Sequence, residues 1–79
     1  MRKPIVMPAL DAPAAVVSVW FVSPGDHVYT GDRLVEVLIG GATFDVASPV
    51  TGIFAEKKAW PDDRLTPGQI LGLVEETEM

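Results

Sequence analysis

Apolar and polar residues alternate along this chain in short runs rather than recurring every three or four positions. Val16, Val17, Val19, Phe21 and Val22 form one β-branched and aromatic run, and Leu34-Val35-Glu36-Val37 a second. Ile53-Phe54 and Ile70-Leu71-Gly72-Leu73-Val74 form two more. These residue types suit a pleated, half-buried strand. Turn chemistry separates them at Pro24-Gly25-Asp26, Thr30-Gly31-Asp32, Pro61-Asp62-Asp63 and Pro67-Gly68. No stripe of 3.6-residue period extends over ten residues, so no helix is predicted. Short strands at regular spacing imply an all-β sandwich or small barrel.

The stretch VEVLIGGATFDVASPVTG, Val35 to Gly52, reads as a hairpin. A two-residue Gly-Gly loop suits a type I′ turn, in which both central residues need positive φ. Taking Gly40-Gly41 as that loop pairs Ile39 with Ala42, Leu38 with Thr43, Val37 with Phe44, Glu36 with Asp45 and Val35 with Val46. Period-two alternation then puts Val35, Val37, Ile39, Phe44 and Val46 on the core face. Glu36, Leu38, Thr43 and Asp45 take the other. Glu36 opposite Asp45 is a like-charge pair that only a wet face tolerates, which leaves Leu38 exposed near the tip.

Shifting the sequence by 37 residues aligns PGDHVYTGDRLVEV (Pro24–Val37) with PDDRLTPGQILGLV (Pro61–Val74). Pro24/Pro61, Asp26/Asp63, Gly31/Gly68, Leu34/Leu71 and Val37/Val74 coincide, and AVVSVW (Ala15–Trp20) falls on GIFAEK (Gly52–Lys57). Two copies are too few for a solenoid. They indicate one domain over residues 1–79 with internal two-fold pseudosymmetry.

Size and charge narrow the function. A chain of 79 residues buries only roughly 60% of its unfolded surface, so a homo-oligomer is an open option. The net charge of −5 argues against nucleic acid, which needs clustered cations. There is no cysteine, hence no disulfide, thiolate metal site or Cys nucleophile. Pro4, Pro8, Asp11 and Pro13 interrupt the start before it reaches the length of a signal-peptide core, and no segment is long enough to span a membrane. The expectation is a cytoplasmic protein.

The hairpin resembles the lipoyl domains of 2-oxo acid dehydrogenase complexes, related to biotinyl carrier domains. There the segment typically runs V-E-V-E-T-D-K-A-T-V-E-V-P-S-P-V-A-G, against V-E-V-L-I-G-G-A-T-F-D-V-A-S-P-V-T-G here, without a gap. The likeness extends through VWFVSPGDHVYTGDRL upstream and PGQILGLVEE downstream. It implies a flattened barrel of two four-stranded antiparallel sheets related by a pseudo-two-fold. It also implies a modified lysine at the turn, and that position here is Gly41, with Gly40 in place of the preceding Asp and only Ala42 retained. Glycine has no amine to carry lipoate or biotin.

Other candidates are weaker. Lys3, Lys57 and Lys58 are the remaining lysines; the pseudosymmetry relates Gly41 to the region of Lys3-Pro4, and Lys57-Lys58 are expected within a strand. His27 beside Asp26 is not a coordination set, and Asp62-Asp63 replace Gly25-Asp26 of the first copy as turn formers. Trp20 is expected in packing, whereas Trp60, whose counterpart is Ser23, is a candidate exposed anchor. The sequence therefore reads as a non-enzymatic, unmodified lipoyl/biotinyl-like domain with no cofactor. Its role is a protein-interaction or structural module. Leu38, Gly40, Gly41, Ala42 and Trp60 would form its contacts, and a dehydrogenase- or carboxylase-type component would be its partner. A second reading is a lipoyl or biotinyl carrier modified at a non-standard lysine, and a third is a small-molecule or regulatory module.

Overall fold

Eight strands are described: β1 (Arg2–Val6), β2 (Ala15–Trp20), β3 (His27–Val28), β4 (Arg33–Ile39), β5 (Ala42–Ala47), β6 (Gly52–Lys57), β7 (Arg64–Leu65) and β8 (Ile70–Glu76). They come from a computed structural model that describes residues 1–8 and 14–77. The strands form two antiparallel sheets, in the orders β1-β8-β6-β3 and β5-β4-β2-β7. This is the expected all-β barrel-sandwich, with no helix among the described residues.

The 37-residue shift carries β2, β3 and β4 onto β6, β7 and β8 and so exchanges the sheets. β4 and β8 share one burial pattern along their seven residues. The turns repeat bond for bond: the Ser23 amide donates to Asp26 Oδ2 at 2.8 Å, and the Trp60 amide to Asp63 Oδ2 at 2.9 Å. In this second copy Asp62 takes the left-handed φ of 71° that Gly25 takes at 99°. Asp62-Asp63 are therefore turn formers, as expected. β5 corresponds to β1, with Phe44 at the place of Lys3 and Asp45 at that of Pro4, because Val37 and Val74 are themselves equivalent.

The core lies between the sheets. Ile5, Val17, Val28, Leu34, Val35, Val37, Phe54, Leu71 and Val74 are fully buried there. Trp20 packs beside them, its ring 5.3 Å from that of Phe54 and its Nε1 donating to the Ala59 carbonyl at 2.9 Å. Gly52 is required for a different reason: a Cβ at this position would sit 2.0 Å from the Glu75 carbonyl oxygen.

The hairpin pairs in the expected register throughout. Burial departs from expectation at Phe44, which is 40% exposed although it faces the core side. Alternation sets the face but not the position along the strand: on edge strand β5 Val46 is buried, whereas Phe44, two residues nearer the tip, is not covered. Ile39, at the same end, is half-buried. The lysines also move from their expected places. Lys57 ends β6 and Lys58 lies just past it, while Lys3 sits within β1 rather than at the counterpart of the tip. That counterpart is where Glu76 donates its amide to the Met1 carbonyl at 2.9 Å.

Candidate functional site

Gly40 and Gly41 form the β4–β5 tip, with φ of 55° and 86°. Both values are positive and close to those of a type I′ turn, the conformation that a two-residue glycine loop adopts without steric penalty. A Cβ added at either position would meet nothing within 4 Å. The tip is thus bare backbone projecting into open space, and its flank Ala42 is exposed as well.

The strands below the tip set the chemistry around it. Across the outer face, Arg64, Val16, Leu38 and Thr43 form one cross-strand row, since Val16 pairs with both Arg64 and Leu38, and Leu38 with Thr43. Leu38 is 39% exposed and Val16 half-buried. One row further from the tip, the like-charged neighbours Glu36 and Asp45 are relieved by Arg33, whose guanidinium lies 3.3 Å from Asp45 Oδ2 and 5.0 Å above the Phe21 ring. Sequence reasoning missed Val16 and Arg64, because their neighbours are remote in the chain. A cavity of about 200 Å³ beside them is lined by Ala14, Ala15, Arg64, Leu65 and Thr66.

Trp60 is 55% exposed in the β6–β7 connection, as an anchor would need to be. It does not adjoin the tip, however. Its neighbour Pro61 bridges Val17, and β2 stands between that loop and β4. Leu38 and the glycines thus lie together, and Trp60 lies apart from them.

The three lysines all lie off the β4–β5 hairpin. Lys57 Nζ lies 5.7 Å from the Trp20 ring, and Lys58 Nζ 3.6 Å from Glu56. Lys3 is half-buried on β1 opposite Val74. His27 is exposed against Tyr29, their rings 5.0 Å apart. Among the described residues, no group of three or more His, Cys, Asp or Glu side chains converges as metal ligands would.

Compared with known proteins, the chain matches the biotin/lipoyl family model, described as "Biotin-requiring enzyme", over residues 3–74. The chain belongs to this family. One similar solved structure is the lipoyl domain of the 2-oxoglutarate dehydrogenase complex from Azotobacter vinelandii, determined in solution by NMR. It superposes with a TM-score of 0.71 at 24% identity, covering 92% of this chain and 99% of that one. No curated protein matches. The superposition shows that this biotin/lipoyl family chain has the lipoyl-domain fold. Among the described residues no helix is long and apolar enough to cross a membrane.

Proposed function

We propose that this chain is an unmodified biotin/lipoyl family domain, a single unit over residues 1–79 that binds a protein partner through its hairpin tip. The observation that carries this reading is the tip itself. The position that the family resemblance assigns to the modified lysine is Gly41, held in a turn whose backbone suits glycine and whose surroundings are empty. Amide attachment of lipoate or biotin needs a primary amine, so the residues at the tip do not fit such a group. What remains is a narrow, exposed end with apolar Leu38 below two glycines, able to approach a partner closely through backbone. Family membership supports a dehydrogenase- or carboxylase-type component as that partner. Trp60 offers a second, separate contact.

Two measurements test the reading. The intact mass of the protein from its native cell should equal that of the unmodified chain, and an added lipoyl or biotinyl mass would establish the carrier reading instead. Leu38→Asp should weaken capture of the partner at least tenfold while leaving the thermal melt within a few degrees. Unchanged capture by a folded variant would remove the tip as the docking site.

A further inference from the structure

The two long edge strands occupy equivalent places in the fold but are protected very differently. β1 reads Arg-Lys-Pro-Ile-Val and its counterpart β5 reads Ala-Thr-Phe-Asp-Val-Ala. Prolines and lysines on an edge discourage pairing with another chain. β1 has both, Lys3 and Pro4, where β5 has Phe44 and Asp45. The two-residue turn makes Ile39/Ala42, Val37/Phe44 and Val35/Val46 the hydrogen-bonded pairs of the hairpin, because such pairs alternate along an antiparallel ladder. The backbone groups of Thr43 and Asp45 therefore point away from β4. Among the described residues neither amide has a hydrogen-bond acceptor.

We infer that β5 pairs antiparallel with β5 of a second copy of this chain, centred on Phe44, to make one continuous eight-stranded sheet. Only registers that place like-facing residues opposite one another are allowed. Centring on Asp45 would set the two Asp45 carboxylates against each other, a destabilising arrangement. Centring on Phe44 sets Phe44 against Phe44, Thr43 against Asp45 and Ala42 against Val46. It uses the outward groups of Thr43 and Asp45 in both copies and opposes no like charges. The two aromatic rings then form a non-hydrogen-bonded pair, the closer of the two pair types. Each Asp45 keeps its own Arg33 at 3.3 Å. The arrangement is a closed two-fold that leaves no further edge of this kind exposed. It also leaves both hairpin tips free, at opposite ends of the joined sheet.

Five paired residues a side bury well under the ~800 Å² per partner of a standard interface. Dissociation constants on the order of 100 µM to 1 mM are therefore expected. The net charge of −5 per chain opposes association, so added salt should strengthen it. Sedimentation equilibrium from roughly 20 µM to roughly 1 mM should show the average mass rising toward twice the monomer's. Over the same range, amide exchange should slow at Thr43 and Asp45 relative to Phe44. Phe44→Lys, and separately Phe44→Lys with Asp45→Pro, copy the β1 sequence onto β5 and should each raise the dissociation constant at least tenfold. The single variant leaves the backbone intact, which guards against a folding defect in the proline variant. A monomer at every concentration, an association that survives both variants, or exchange at Thr43 and Asp45 that ignores concentration would overturn the inference.

Discussion

Replacing Gly41 by lysine asks whether an amine at the position the family resemblance assigns to the modified lysine would turn this tip into a carrier. No contact is at stake, since a Cβ there meets nothing within 4 Å. The cost is conformational: an L-residue in the left-handed region loses about 1–2 kcal/mol. Losing a glycine recovers roughly 0.4–1 kcal/mol by restricting the unfolded chain. The net penalty is about 1 kcal/mol, against a total stability of roughly 4–12 kcal/mol for a chain of this length. Gly41→Lys should therefore fold and melt about 4–8 °C lower, the shift that such a penalty produces in a small domain. Co-expression with a lipoate ligase or a biotin ligase, read by intact mass, should add one group to the variant and none to the wild type. A wild-type chain modified to the same extent would refute the argument, because attachment would then lie elsewhere. A variant that unfolds outright would refute the turn geometry on which the estimate rests.

Gly52→Ala should destabilise by about 1–3 kcal/mol, the usual range for overpacking, because its Cβ would collide with the Glu75 backbone carbonyl rather than with a movable side chain; a melt unchanged from wild type would show that β6 and β8 separate easily. Trp20→Phe keeps most of the packing on Phe54 but leaves the buried Ala59 carbonyl without its 2.9 Å donor. It should cost about 1–3 kcal/mol in denaturant titration, the price of an unsatisfied buried acceptor, and a loss near zero would mean that water replaces the indole.

Much of the fold is legible in the residues because each half is written locally. The Gly-Gly turn determines the pairing of β4 with β5, and every predicted partner is observed. The 37-residue repeat anticipates the exchange of sheets because turn residues such as Asp26 and Asp63 perform the same hydrogen bonding in each copy. What alternation misses depends on distance from the tip and on ladder defects. Phe44 is exposed because it lies toward the tip of edge strand β5, while Val46, two residues further in, is buried. Val19 is exposed because β2 bulges between Val17 and Val19, which breaks the period of two. The surroundings of the tip were legible only in part. Leu38 followed from the hairpin itself, whereas Val16 and Arg64 reach it through pairings between strands far apart in the chain.

The hairpin tip and the meeting point of Met1 with Glu76 are equivalent places, so linking Met1 to Glu76 would close residues 1–76 into a ring with a matching turn at each. Joining Glu76 to Met1 through two glycines and cutting between Gly40 and Gly41 would yield a circular permutant in which the sheets trade roles. Breaks at such exposed, non-core sites are the kind that folds accept. Such a permutant would present the glycine link as the protruding loop and relocate both chain ends to the former tip.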